Sequence, residues 1–229
     1  MPTVDLAQTS RSELNAQLHA LSQDINETVW EVINPAGQHA LAVGLDAPIT
    51  VEIHGHAGYY CAGMNKQASV TVLGNAGVGV GENMMSGKVH VRGDASQSAG
   101  ATAHGGLLVI DGNASARCGI SMKGVSIVVK GSIGPMSAFM AQSGSLVVLG
   151  DAGDALGDSI YEARLYVRGA VKSLGADCIE KEMRDEHRSE LRVLLDAAGV
   201  DADVSVESFK RYGSARSLYN FHVDNAAAY

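Results

Sequence analysis

Between Val51 and Gly169 the chain alternates short apolar runs with glycine at a fixed step. VEIHG ends at Gly55, VTVLG at Gly74, VHVRG at Gly93, LVIDG at Gly112, IVVKG at Gly131, LVVLG at Gly150 and LYVRG at Gly169, each glycine 19 residues after the last. Four residues before each glycine stand Val51, Val70, Val89, Leu108, Ile127, Leu146 and Leu165; two before stand Ile53, Val72, Val91, Ile110, Val129, Val148 and Val167. Both columns are aliphatic throughout. The column between them is mixed, running Glu52, Thr71, His90, Val109, Val128, Val147 and Tyr166. That period of two predicts strands with one face in a core. Two residues past the glycine comes a third apolar column, Ala57, Ala76, Ala95, Ala114, Ile133, Ala152 and Val171, so the chain rounds a corner and turns inward again.

A unit this short cannot bury its apolar face alone and must stack on its neighbours. Leucine-rich repeats would carry Leu-x-x-Leu-x-Leu and a helical half that these Gly/Ala/Ser-rich return segments lack, and left-handed hexapeptide helices prefer a multiple of six. The pattern predicts an all-β solenoid, a parallel β-helix of about seven 19-residue coils. Its hand is expected to be right, as parallel crossovers overwhelmingly are. Six steps of ~4.8 Å give a rod about 29 Å long. The repeat glycines are expected where φ is positive or where coils touch. Cys61 and Cys118 are 57 residues apart, three repeats, so they share a corner position roughly 14 Å apart, too far for a disulfide. With Cys178 beyond the repeat, three inert thiols are expected.

The flanks read differently. In residues 1–48, Ser10-x-x-Glu13 is a capping box ahead of Leu14, Leu18 and Leu21, which predicts a helix. TVWEVINPAGQHALAVGL, from Thr28 to Leu45, reads as two strands about a Pro-Ala-Gly turn leading into the β-helix of residues 49–175. In residues 176–229, the segment opened by Asp177 and Glu180 sets Ile179, Met183, Leu191, Leu194 and Leu195 on one side. A helix there is expected to cover the open end of the rod. The stretch ESFKRYGSARSLYNF, Glu207 to Phe221, is expected either to pack back along the rod or to serve as a docking arm.

Composition narrows the function. Glycine numbers 27, and 23 of these lie from Gly55 to Gly175, so the excess belongs to the repeat and not to a linker. A net charge of −8 leaves no basic stripe for nucleic acid. No apolar run approaches membrane-spanning length and Met1–Gln17 lacks signal-peptide form, which makes a soluble cytoplasmic protein the expectation. VTVLGNAGVGVGEN, Val70 to Asn83, begins like a dinucleotide fingerprint, but the next segment is another strand, so no helix N-terminus receives a phosphate. His54-Gly-His56 offers two imidazoles near one corner, short of the three or four ligands a metal needs. Asp94 and Asp111 are candidates for a paired-carboxylate hydrolase, though the coils hold few aromatics to stack sugars. No Gly-x-Ser-x-Gly elbow or phosphate-binding loop is present. Residues catalytic in their own right, cofactor-binding residues and metal ligands are not expected in this chain. The mixed column from Glu52 to Tyr166 is a candidate contact surface, because Val109, Val128 and Val147 make an apolar patch.

Gly74-x-x-Gly77-x-x-x-Gly81 and Gly150-x-x-Gly153-x-x-x-Gly157, each behind an aliphatic strand, resemble the glycine-repeat domain at the C-terminal end of glutamate synthase large chains. GHAGYYCAGM, Gly55 to Met64, looks like that family's opening coil. Ala138 replaces one glycine of the pattern, and Ser96 and Ser115 replace two others. Formylmethanofuran dehydrogenase includes a noncatalytic β-helix with a similar module, as does N-methylglutamate synthase in its free-standing small subunit. The chain's length, its separate N-terminal helix and the phrase FMAQSGSLVVLGDAGDALGDSIYEARLYVRG are most similar to the last. The resemblance implies a noncatalytic scaffold that positions a glutaminase-like class II amidotransferase subunit and a glutamate synthase-like subunit. FMN and an iron-sulfur cluster would sit on the latter partner. The alternatives are a β-helix of a formylmethanofuran dehydrogenase-type complex and a stand-alone carbohydrate-active β-helix.

Overall fold

The computed structural model describes residues 1–25 and 28–216. Its elements run β1 (Thr3–Asp5), α1 (Arg11–His19), β2 (Val29–Ile33), β3 (Thr50–His54), β4 (Ser69–Val72), β5 (Lys88–Val91), β6 (Leu107–Ile110), β7 (Lys123–Val129), β8 (Ser143–Val148), β9 (Arg164–Val167), β10 (Cys178–Lys181), α2 (Asp185–Ala197) and β11 (Lys210–Ser214). Strands β2 to β9 stack parallel in one ladder. The aliphatic column pairs in register, Val51 with Val70, then Val89, Leu108, Ile127, Leu146 and Leu165, all fully buried. The molecule is the parallel β-solenoid that the repeat predicts.

Each turn has three sides. After the strand and the glycine corner, Ala57, Ala76, Ala95, Ala114, Ile133, Ala152 and Val171 form a second, minimal parallel ladder, one bridge per coil. The third side is built from left-handed residues at alternate positions: Tyr60, Ala62 and Met64 in one coil, Gly79, Gly81 and Asn83 in the next. Ala138, which stands where four other coils have glycine, takes the same backbone, with φ 56° against 65° to 68° at Gly81, Gly100, Gly119 and Gly157. The conformation is thus imposed by the coil, and alanine accepts it.

Two expectations about the flanks are corrected. Thr28 to Leu45 does not form a strand pair. Only Val29–Ile33 is a strand, and it lies parallel to β3, with Trp30 opposite Val51 and Val32 opposite Ile53. The following residues bond to the next coil, Gly37 N–H to His56 O, Ala40 N–H to Tyr59 O and Gly44 N–H to Gly63 O. This is a further coil, offset by 21 residues where the others keep 19. The eight coil strands, β2 to β9, span seven steps and give a rod about 34 Å long.

The helices also change places. The capping box of α1 forms as expected, with Ser10 N–H donating to Glu13 (2.8 Å) and Glu13 N–H to Ser10 Oγ (3.2 Å). It is α1 that closes an open end: Leu14 and Leu18 are buried in the same core as Leu41 and Leu45, and Asn15 donates to Ala40 O at 2.8 Å. Helix α2 does not cover an end. Leu191 and Leu195 press on Val109, Val128, Val147 and Tyr166, the outward face of the last four ladder strands. Glu190 fixes the register of α2, accepting from Ser145 Oγ (2.6 Å), Tyr166 OH (2.7 Å) and Arg164 (2.8 Å). Lys88 and Lys130 reach Ala197 O and Gly199 O, supplying positive charge where the helix dipole is negative.

The other end is closed by β11, which runs antiparallel between β9 and β10 and buries Tyr212 in the main core. The first half of the C-terminal stretch therefore packs back on the rod. Tyr219 and Phe221, from its second half, lie outside the described residues.

Two glycine substitutions separate coil contact from backbone strain. A Cβ on Gly112 would stand 2.3 Å from Asp94 Oδ1 and 2.8 Å from Gly93 O, whereas one on Gly199 (φ 65°) meets nothing within 4 Å. In denaturant unfolding, Gly112→Ala is expected to cost about 3 kcal/mol and Gly199→Ala about 1 kcal/mol. Equal losses would show that coil spacing is not the constraint.

Candidate functional site

The residue after each repeat glycine is the starting point. His56, Asn75, Asp94, Asn113, Ser132 and Asp151 each carry a side-chain acceptor, and each takes the backbone N–H of the residue 19 positions on. Asn75 N–H bonds to His56 Nδ1 (2.9 Å), Asp94 N–H to Asn75 (2.9 Å) and Asn113 N–H to Asp94 (2.7 Å). Ser132 N–H then bonds to Asn113 (2.9 Å), Asp151 N–H to Ser132 (2.9 Å) and Ala170 N–H to Asp151 (2.7 Å). This polar file along one corner satisfies amides that the sharp turn would leave unpaired. It also explains the repeat glycines. From Gly74 to Gly169, a Cβ would fall within 3.0 Å of both the previous coil's acceptor atom and the previous glycine's carbonyl oxygen. Gly55, at the start of the column, is the one whose φ is positive, at 139°.

The residues that suggested chemistry are dispersed by this geometry. Asp94 belongs to the file, and its counterpart one coil on is Asn113. Asp111 lies in another column, where its counterparts are Arg92 and Lys130. Asp111 meets Lys130 at 2.8 Å, His90 at 3.0 Å and Arg92 at 3.1 Å. Partial burial opposes its ionisation, yet the hydrogen bonds from Lys130, His90 and Arg92 outweigh that and lower its pKa to about 2. A carboxyl so held neither donates a proton near neutrality nor pairs with Asp94. His56 is occupied by the file, while His54 projects from the sheet, 3.6 Å from Glu31 and 3.9 Å from Glu52. Among the described residues these three bring donor atoms within 4.8 Å of one another, a surface group that could hold a metal ion. The two imidazoles of His54-Gly-His56 do not converge. Cys61 and Cys118 are free and fully buried, and burial pushes both thiols up to about 12; Cys178, also buried, is pushed up to about 11.

The contact surface suggested by Val109, Val128 and Val147 is not free. All three are fully buried beneath α2, so the chain covers its own apolar patch. The left-handed third side stays open, and it exposes Tyr59, Tyr60, Met64, Met85, Met140 and Tyr161. Exposed tyrosine and methionine with few charges is the composition of a protein interface. A recess of about 250 Å³ between α1 and the first coil, bordered by Leu18, His19, Gln23 and Asp46, brings together no acid–base pair, since Asp46 is bound to Lys66 and His19 to Val43 O. No helix among the described residues is long and apolar enough to cross a membrane.

These features define a capped parallel β-solenoid whose acceptor file serves coil stacking and whose third side is open. No family model matches the chain. Over all 229 residues, covering the whole of both chains, it is 66% identical to Protein GlxC of Rhizobium meliloti (strain 1021). The chain belongs to the GlxC family.

Two measurements check this site. Asp111 has a folded pKa below its unfolded value, so its stabilisation is present above about pH 4 and is lost as pH falls toward 2. Asp111→Asn is expected to lower stability at pH 7 and to flatten the stability–pH curve between those limits. At pH 8 all three cysteines should stay silent to a thiol reagent in the native protein and react on unfolding. Rapid modification of Cys61 or Cys118 in the folded state would contradict their burial.

Proposed function

We propose that this chain is the scaffold subunit of an N-methylglutamate synthase, the assembly that converts methylamine and glutamate to N-methylglutamate and ammonia. The observation that carries the reading is the use made of the polar groups along the coil corner. His56, Asp94 and Asp151, which chemistry would want free, hold one coil to the next. The glycine phrases that resemble the glutamate synthase C-terminal domain support it, as does the rod itself. A solenoid whose coils are tied at a glycine corner and capped at both ends holds two distant points at a constant separation.

In this reading a glutaminase-like class II amidotransferase subunit and an FMN-binding glutamate synthase-like subunit attach to the rod. The flavin and the iron-sulfur cluster belong to the latter of these. The scaffold contributes pre-organisation: fixing two active sites relative to each other lets an amine released at one reach the other before it is lost to solvent.

The test is isolation of the untagged protein from its native cells, with identification of what accompanies it and a visible spectrum. A flavin spectrum together with an amidotransferase-like and a synthase-like chain is the expected result. Turnover should then fall by at least about tenfold, with the components dilute, when this chain is left out. A colourless, solitary protein, or full turnover by the other two subunits alone, would overturn the proposal. Molybdenum or tungsten in the isolated complex would point to the formylmethanofuran dehydrogenase type instead.

A further inference from the structure

On the open third side, Tyr60 combines exposure, a fixed backbone and an unused charge beside it. Its φ is 60°, a left-handed conformation that costs a bulky residue roughly 1–2 kcal/mol, and the same column holds glycine one coil on, at Gly79. Its N–H is bonded to Val78 O at 2.8 Å and its carbonyl accepts from Gly63 at 3.2 Å, so the backbone is locked. The neighbouring Tyr59 ring lies on His39 with centroids 4.4 Å apart and meets Tyr60 edge-on at 6.4 Å. Beneath them, the point where Gly79 would carry a Cβ is 2.7 Å from the Tyr60 ring and 2.8 Å from Glu82 Oε2. The carboxylate and the aromatic ring therefore share one small patch over a glycine. Among the described residues, the Glu82 side chain finds no hydrogen-bond or ion-pair partner. Tyr59 and Tyr60 remain 49% and 50% exposed.

An aromatic face beside an unpaired carboxylate is complementary to a planar cation: a guanidinium stacks on the ring and meets both carboxylate oxygens, which an ammonium cannot do. We propose that Tyr60 and Glu82 form an anchor for an arginine side chain of a partner protein that docks on the third side. Resting on the scaffold reading above, this assigns a docking face and a charge to its partner. The acidic balance of the chain, −8, favours the same sign of partner. Met64, whose N–H bonds to Glu82 O at 2.7 Å, and Met85, three residues past Glu82, add exposed, adaptable apolar side chains to the same side.

The test titrates the full chain with N-acetyl-arginine amide, and with the lysine analogue as control, while amide resonances are followed. Saturable shifts at Tyr60, Gly79 and Glu82 are expected, with the dissociation constant raised at least about fivefold in Glu82→Gln and in Tyr60→Leu. The lysine analogue should bind several-fold more weakly. No response, or the same response in Glu82→Gln, would overturn the anchor. So would shifts at these residues on raising the protein concentration alone, which would put a second copy on the face. A solitary, colourless native protein that still binds the arginine amide at Glu82 would overturn the assembly and leave the anchor standing. A coloured complex whose scaffold ignores arginine would do the reverse.

Discussion

The approach of one coil to the next at the glycine corner governs the rest of the structure. There the backbones of consecutive turns come close enough for Gly93 N–H to bond to Gly74 O at 3.0 Å, and the contact recurs through Gly112, Gly131, Gly150 and Gly169. A side chain at these positions would strike both the backbone and the polar group of the turn behind. With the corner held at that distance, adjacent strands fall at hydrogen-bonding separation, the aliphatic columns meet inside, and the acceptor residue after each glycine lines up with the next coil's N–H. The 19-residue step is the length of chain that returns to this contact.

Such a stack exposes two ends and three sides, and the flanking segments deal with them unequally. The helix α1 closes the interior at one end and β11 finishes the sheet at the other, while α2 lies along the side where the ladder column turns from polar to apolar. The change occurs within the column itself, from Glu52, Thr71 and His90 to Val109, Val128 and Val147. One surface thus has two regimes, a wet one near the N-terminal coils and a covered one beyond. Glu190, Lys88 and Lys130 supply the polar contacts that set where along the rod the helix rests.

How much of this was legible in the sequence depended on whether the signal was local and repeated. The ladder was readable because two columns, seven deep, carried only aliphatic residues, and α1 because Ser10 and Glu13 satisfy the same few amides wherever they occur. The first coil escaped because its step is 21 residues and because Pro35-Ala36-Gly37 mimics a hairpin turn, although Trp30 and Val32 already alternate as the later strands do. The seat of α2 escaped for a different reason. Periodicity shows that Leu191 and Leu195 share a stripe, but not which apolar surface receives it, and the patch taken for a partner's seat proved to be the answer. The acceptor file was in plain view as His, Asn, Asp, Asn, Ser and Asp in one column. Read singly, Asp94 suggested an acid for catalysis; read down the column, it is one rung among six.

The covered patch has a consequence for synthesis of the chain. Val109 is made 82 positions before Leu191, the residue that comes to lie in its cluster. At ~5–20 residues per second, a ribosome extends the chain for about 4–16 s between the two. During that interval the growing solenoid carries a valine stripe with nothing yet made to hide it from water. The order of the elements along the chain thus leaves an apolar strand face uncovered for several seconds in each round of translation.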